Sequence, residues 1–253
     1  MKKIDYKTND GIDLNGILEQ NGGDTCVVMC HGISTGKEEN GVFTRLAELL
    51  NENSIDSFRF DFRGYEEKPI DFEVVTISGE IADLEATIDL IRSLRYRNII
   101  LLGSSFGGGI IPLLDYNKYT DIKGLIFLWP ALVYEPIPYF CKENVAIALE
   151  KGYCEVKNGE LRLTKKFMEE TTIYKPYDRL LCNNLNKLFI HGSIDLIVPF
   201  ENTFYCAKES KNSKMITIGH DSHSFSTEPE KFEGVFDDIV KWIEKLVEKI
   251  KVF

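Results

Sequence analysis

The chain has 253 residues, which is enough for one large α/β domain or two small ones. Its composition is that of an ordinary globular protein, and its net charge of −10 argues against nucleic acid or an anionic membrane surface as the main partner. No stretch reaches the roughly 18 consecutive apolar residues of a membrane helix, and the N-terminus lacks the pattern of a signal peptide. We therefore expect a cytoplasmic location.

The six cysteines are scattered along the chain and form no C-x-x-C pair. In a chain of this size and expected location, this distribution predicts free thiols rather than a disulfide framework. The spacing of Cys and His never repeats, so we expect neither a zinc site nor any other metal.

Apolar periodicity predicts strands and helices that alternate along the chain. Segments 2–8 and 12–19 surround Asn9-Asp10-Gly11, which predicts an N-terminal hairpin. Further strands are predicted over 25–30, 55–62, 99–102, 122–129, 187–191 and 214–218, and helices over 41–53, 76–95, 143–151, 165–171, 200–210 and 229–250. This alternation indicates an α/β fold with a mostly parallel sheet and helices on both faces.

Residues 131–180 interrupt this rhythm, and we interpret them as an insertion within one domain that spans residues 1–253. The insertion is predicted to form a small lid that sets substrate choice. Tyr134 and Tyr139 within it, and Trp129 just before it, are candidate substrate-binding residues, because such side chains combine a large apolar surface with a polar tip. The alternative role for each is to hold the lid to the main domain.

The strand at 99–102 stops at Gly103-Ser104-Ser105-Phe106-Gly107, which fits G-x-S-x-G with Ser105 at its centre. This pattern is typical of a nucleophile elbow, where a buried strand turns sharply into a helix and presents the serine hydroxyl at the bend. Ser104 is excluded, because Leu102 and Phe106 would occupy its two glycine positions. The alternative to an elbow is a tight glycine turn.

A serine nucleophile needs donors for the oxyanion, and in a parallel sheet functional groups gather at the carboxyl ends of the strands. His31-Gly32-Ile33 follows the strand at 25–30. The backbone N–H groups of Ile33 and Phe106 are therefore the candidate oxyanion donors. We interpret His31 itself as a structural residue of this loop.

The general base and its orienting group are sought at the ends of the last two strands. Asp195 follows the strand at 187–191 and is the candidate carboxylate that orients the base, the alternative being a helix-capping aspartate. His191 is interpreted as a strand-end residue that binds backbone. Both His220 and His223 follow the strand at 214–218, and either is a candidate base.

Five motifs occur in one order along the chain: H-G-I at 31–33, D-x-R-G at 61–64, G-x-S-x-G-G at 103–108, H-G-x-x-D-x-x-V-P at 191–199 and H-S-F at 223–225. Over nearly the whole chain they resemble the α/β-hydrolase fold. Within that fold, the size and the insertion are similar to bacterial carboxylesterases of the cinnamoyl (feruloyl) esterase kind and to monoacylglycerol-lipase-like enzymes.

The resemblance implies that His223 is the base, because in those families the histidine stands two residues before an aromatic residue. Here Gly219 precedes His223 by four residues instead of three, so His220 stays an alternative. The resemblance also places Asp61 and Arg63 in a loop that braces the oxyanion turn, without a catalytic role for either.

We therefore expect a serine hydrolase that cleaves carboxylic esters of small or aromatic acids without a metal or cofactor. Ser105, Asp195 and His223 are its predicted triad, and Ile33 and Phe106 its predicted oxyanion donors. The expected partner is a small-molecule ester, with no nucleic acid and no membrane, and the sequence leaves a homodimer open.

Two other functions stay open. The same triad hydrolyses thioesters and peptides, and a serine aminopeptidase would bind the substrate amine with acidic residues, for which Glu135 and Glu143 are the hint. A non-catalytic binding protein would keep the fold, although every triad position is filled here.

Overall fold

The computed structural model describes residues 1–65, 70–225 and 232–251. Within these ranges the strands are β1 (Lys2–Lys7), β2 (Asp13–Glu19), β3 (Thr25–Cys30), β4 (Asp56–Phe60), β5 (Asn98–Ser104), β6 (Ile122–Leu128), β7 (Tyr153–Val156), β8 (Leu161–Thr164), β9 (Asn186–Gly192) and β10 (Ser213–Ile218). The helices are α1 (Val42–Glu52), α2 (Ile77–Ser93), α3 (Ser105–Ile110), α4 (Lys142–Lys151), α5 (Lys165–Ile173), α6 (Pro176–Leu181), α7 (Phe200–Glu209) and α8 (Glu233–Lys251). Positions 229–231 of the predicted final helix lie outside the described residues.

Eight of these strands form one sheet in the order β1-β2-β4-β3-β5-β6-β9-β10. Strand β2 runs antiparallel to β1 and β4, and the remaining neighbours are parallel. Every residue of β3 and β5 is buried, as expected for central strands that are covered on both faces. The predicted mostly parallel sheet with an N-terminal hairpin is confirmed.

Helices cover both faces of the sheet. In β3, Val27 and Met29 lie in the buried cluster that contains α1 and α8, whereas Val28 and Cys30 lie in the cluster that contains α2. This alternation follows from the period of two along a strand. Full burial of one large aliphatic or aromatic side chain contributes roughly 1.5–3 kcal/mol, so the two clusters hold the helices firmly to the sheet.

Residues 131–180, which we call the lid segment, lie between β6 and β9 and contain α4, the β7–β8 hairpin, α5 and α6. Buried side chains of this segment, such as Phe167 and Leu180, belong to the same cluster as the α2 face of the sheet. Glu170 of α5 also accepts hydrogen bonds from the Ser78 backbone N–H (3.0 Å) and Oγ (2.6 Å) on α2. The lid segment is therefore packed into the main core. Helix α6 was missing from the predicted elements, because one short turn starting at a proline carries little periodicity.

Candidate active site

Ser105 opens α3 directly after β5 with a φ of 44°, a left-handed conformation that is uncommon for a residue other than glycine. A Cβ atom at Gly107 would lie 2.4 Å from the carbonyl oxygens of Cys30 and His31. Glycine is therefore required where the turn presses against the end of β3. A strained serine between glycines at a strand-to-helix turn is the geometry of a nucleophile elbow.

Ser105, His223 and Asp195 form one hydrogen-bonded chain. Ser105 Oγ lies 3.1 Å from His223 Nε2, and His223 Nδ1 lies 2.7 Å from Asp195 Oδ2. Because an ionised carboxylate can accept but not donate, Nδ1 carries the imidazole proton, and Nε2 of the neutral ring accepts the serine hydroxyl. The other candidate base, His220, is exposed, and its backbone N–H donates to Ser193 Oγ (3.0 Å). The structure thus places His223, rather than His220, against Ser105.

The Asp195 side chain is fully buried and receives four donors. Besides His223 these are His191 Nε2 (3.0 Å) and the backbone N–H groups of Ile197 (2.8 Å) and Val198 (2.9 Å). Burial alone would raise the pKa of Asp195, but hydrogen bonds from His191 and His223 hold this pKa well below its usual range. The carboxylate therefore stays ionised and fixed in direction.

His191 has a larger role than the predicted strand-end contact with backbone. It is fully buried, and its Nε2 faces two acceptors, the Asp195 carboxylate and the Val198 carbonyl oxygen (3.2 Å). Nε2 must therefore carry the proton, so Nδ1 accepts the Thr203 hydroxyl hydrogen at 2.9 Å. Sequence reasoning missed that two histidines share one carboxylate, because the four-residue spacing from His191 to Asp195 spans a loop instead of a helix.

The predicted oxyanion donors both lie at the serine. Ile33 and Phe106 line the same cavity as Ser105. The Phe106 N–H belongs to the first turn of α3, where backbone N–H groups have no acceptor within their own helix. A side chain at Gly32 would lie 3.1 Å from Ser105 Cβ, so the backbone that leads into Ile33 passes directly beside the serine.

Glu39 anchors this loop and was missed in the sequence. Its carboxylate, only 2% exposed, accepts the Gly32 N–H (2.7 Å) and the Thr35 hydroxyl (2.8 Å). Burial raises the pKa of the Glu39 carboxyl, and the two hydrogen bonds offset part of this rise. Glu39 has a left-handed φ of 44° and is followed by Asn40 at 52°. The left-handed conformations of Glu39 and Asn40 turn the Glu39 side chain into the protein. Sequence reasoning missed this because a glutamate in a polar loop gives no sign of burial.

Asp61 and Arg63, which were expected in a loop that braces the oxyanion turn, have different contacts. Asp61 accepts the Lys37 backbone N–H (2.8 Å) and pairs with the Lys37 ammonium group, so it does hold the loop after Ile33. Arg63 instead binds Asp83 on α2 (2.7 Å) and Asp10 in the β1–β2 turn (2.9 Å). The loop at 61–64 also contacts the oxyanion turn through the Phe62 N–H, which donates to His31 Nε2 at 3.0 Å, while the Arg63 side chain joins the N-terminal hairpin to α2.

A cavity of about 440 Å³, which we call the catalytic cavity, opens onto Ser105 and His223. Its apolar walls come from the lid segment and from the loop after Asp195. These wall residues are Ile137, Tyr139, Phe140, Leu196, Ile197 and Val198. Polar groups such as Ser34 and Asn40 complete the lining, and a cavity of this volume with both kinds of wall suits a small organic substrate.

Of the predicted substrate-binding residues, Tyr139 lines the catalytic cavity, but Trp129 and Tyr134 do not. Trp129 is fully buried beneath the site, with its ring centroid 6.1 Å from that of His223. Its left-handed φ of 38° breaks the strand alternation, so it joins Leu128 in the cluster with α1 and α8. Tyr134 is buried behind Phe106, at 5.6 Å between ring centroids, and lines a separate cavity within the lid segment.

Across residues 1–65, 70–225 and 232–251, no group of three or more His, Cys, Asp or Glu side chains is placed to hold a metal ion. In the same ranges, no helix is both long and apolar enough to cross a membrane.

The sheet order and the serine elbow are those of an α/β-hydrolase, and the protein is a serine hydrolase of that fold. The chain belongs to the Hydrolase_4 family, whose sequence model is described as serine aminopeptidase, S33, and matches residues 23–178. It is also similar to the human serine hydrolase BPHL, with 25% identity over 241 residues that cover 86% of this chain and 80% of that protein.

Solved structures agree with the assigned fold. Est1E from Butyrivibrio proteoclasticus, solved with bound ferulic acid, superposes with a TM-score of 0.83 at 23% identity, covering 97% of this chain and 99% of that one. A monoacylglycerol lipase from Paleococcus ferrophilus gives a TM-score of 0.75 at 18% identity, covering 93% and 100%. The resemblance inferred from the sequence motifs is confirmed, and at these identities the structures establish the fold.

Proposed function

We propose that the protein is a carboxylic ester hydrolase that acts on esters of small or aromatic acids. The observation that carries this proposal is the hydrogen-bonded chain from Ser105 through His223 to Asp195, whose Ser105 and His223 line a small cavity with apolar walls on one side. The similarity to Est1E, which was solved with ferulic acid, supports an aromatic acid as one substrate class. The cytoplasmic location stays a prediction.

In the proposed mechanism, Ser105 Oγ attacks the acyl carbon while His223 Nε2 takes the hydroxyl proton. Asp195 stabilises the imidazolium that forms, and the N–H groups of Ile33 and Phe106 receive the oxyanion. His223 then returns the proton to the leaving alcohol, which gives an acyl-enzyme. Water attacks the acyl-enzyme with His223 again as the base, and the acid is released with Ser105 restored.

An aminopeptidase is the second candidate, because the family description names that activity. Such an enzyme would need acidic groups in the catalytic cavity to bind the substrate amine. Glu135 instead lines the separate lid cavity and pairs with Lys142 (2.9 Å), and the Glu143 side chain is exposed. Glu39 does line the catalytic cavity, but its carboxylate is already bound by Gly32 and Thr35. These contacts favour the ester.

The test compares kcat/KM for p-nitrophenyl acetate, a p-nitrophenyl aromatic ester, an acyl thioester and an aminoacyl p-nitroanilide. We expect the esters to react fastest, and Ser105→Ala and His223→Ala each to lose about 10⁴-fold or more in kcat. His220→Ala is the matched control and should keep most of the activity. Faster cleavage of the aminoacyl anilide would replace the ester assignment, and an inactive His220→Ala beside an active His223→Ala would transfer the base to His220.

A further inference from the structure

The lid segment encloses a second cavity, of about 580 Å³, which we call the lid cavity. It lies between one side of α4, from Lys142 to Leu149, and the α5–α6 region, and neither Ser105 nor His223 lines it. Side chains that give it an apolar lining include Leu132, Val133, Tyr134, Val145, Leu149 and Pro176. The charged residues around it, such as Lys142 and Lys175, are exposed and form its rim.

Phe140 is the residue that lines both the lid cavity and the catalytic cavity. Its side chain is 4% exposed and ends a short 3₁₀ turn, Pro138–Phe140. The ring centroid lies 5.8 Å from those of Phe106 and Phe167 and 5.7 Å from that of Tyr134. One aromatic ring, held by three others, therefore stands between the two cavities.

We propose that Phe140 sets the acyl-length limit of the enzyme and that the lid cavity behind it is a chamber for a linear alkyl chain. With the ring in place, the catalytic cavity ends at Phe140 and accepts short or aromatic acyl groups. Without the ring, the two cavities join and an alkyl chain can extend from the acyl carbon into the lid. The inference rests on the proposed ester hydrolysis. An alkyl chain is the occupant that fits, because Phe140 and the wall behind it are apolar and the charged residues around the lid cavity stand at its rim.

The test measures kcat/KM for p-nitrophenyl esters from acetate to decanoate. The wild type should react best with the short esters. Phe140→Ala should gain roughly fourfold per added methylene relative to the wild type, until the lid cavity is filled. The double variant Phe140→Ala with Val145→Trp, which fills the lid cavity again, should return to the short-chain profile. An unchanged chain-length profile in Phe140→Ala, or an equal gain in the double variant, would refute the proposal that Phe140 separates the two cavities.

Two further measurements keep the proposal testable. Phe140→Leu keeps an apolar side chain against Phe106 and replaces the alanine variant if that variant does not fold. Its chain-length preference should lie between those of the wild type and an open cavity. Decanoate binding to Phe140→Ala, measured by calorimetry, should be at least tenfold tighter than binding to the wild type or to the double variant. Decanoate binding needs no turnover, so it tests whether Phe140 separates the two cavities even if the protein cleaves no ester. A failure to cleave any ester would refute the proposed function instead. Equal binding by all three proteins would refute the chamber.

Discussion

Glu39 offers a sharp test of how the oxyanion loop is held, through the variants Glu39→Ala and Glu39→Gln. The alanine variant leaves the Gly32 N–H without its acceptor, whereas the Thr35 hydroxyl can still donate to the Gly32 carbonyl oxygen at 2.8 Å. A buried donor without a partner costs about 1–3 kcal/mol, so the free energy of unfolding should fall by about that amount. Glutamine keeps an acceptor oxygen without the charge, and its cost should be about 1 kcal/mol or less.

Activity should follow the loop. Loss of one oxyanion donor costs roughly 10²–10³ in kcat, so Glu39→Ala should lower kcat by up to that factor if the loop moves the Ile33 N–H out of place. KM should change much less, and Glu39→Gln should stay within about tenfold of the wild-type kcat because the Gly32 N–H keeps an acceptor. Aryl ester kinetics and urea unfolding measure both effects. A Glu39→Ala variant with wild-type kcat and stability would show that this carboxylate does not hold the loop.

The pH dependence has a definite sign. Because burial raises the folded-state pKa of Glu39 above its ordinary 4.5, the folded protein holds this proton longer than the unfolded chain does. The contribution of the Glu39 carboxyl to the free energy of unfolding is therefore fully present below its ordinary pKa of 4.5 and is lost as the pH rises through the folded-state pKa. The wild type should lose stability relative to Glu39→Gln as the pH is raised from 4 to 7. The opposite slope in urea unfolding would contradict the assigned shift.

Three further predictions concern buried groups. His191→Phe should lower the free energy of unfolding by about 1.5–3 kcal/mol and should also lower kcat, because Asp195 loses one charged hydrogen bond. Urea unfolding and ester kinetics measure these effects, and a variant with wild-type stability and kcat would contradict the prediction. Burial lowers the pKa of Lys187 from 10.5 to about 8. Between pH 8 and pH 10.5, chemical denaturation should therefore show the wild type gaining stability relative to Lys187→Met. A difference in the free energy of unfolding that does not change with pH would argue against this shift. Thiol titration of the denatured, unreduced protein should find all six cysteines free, while the native protein should react quickly only at the half-buried Cys141 and the exposed Cys182; two or more missing thiols would contradict this.

Much of the architecture was predictable because the central strands are uniformly apolar and the helices are periodic. The strands β3, β5 and β9 were placed within a residue or two, since a buried parallel strand has a sequence pattern of its own. The elbow was predictable for a local reason: a strained serine needs glycine neighbours, and G-x-S-x-G states that requirement in the sequence.

The site was less predictable where contacts depend on the tertiary fold. Trp129 stands next to the site in the sequence, but one left-handed φ at the end of β6 turns its ring into the core. Glu39 looks like a solvated loop residue until the strained turn buries it. His191 and His223 meet on Asp195 because two strands end side by side, which no spacing within either segment reveals.

The role of the lid segment in substrate choice needs a finer test than deletion of part of that segment. Trimming 140–170 would remove Phe140 and Phe167, which belong to the main buried cluster, and would damage the core along with the lid. The single substitution at Phe140 separates these effects, because it alters the wall of the catalytic cavity without removing a helix or strand.

Labelling with a fluorophosphonate, followed by peptide mass spectrometry, tests the central claim most directly. The probe reacts with a serine only when a base removes its proton and donors receive the developing charge. We predict one adduct, on Ser105, which is absent in Ser105→Ala and at least 100-fold slower in His223→Ala, while His220→Ala labels at the wild-type rate. An adduct on another serine, no adduct at all, or undiminished labelling of His223→Ala would contradict the assignment of Ser105 and His223.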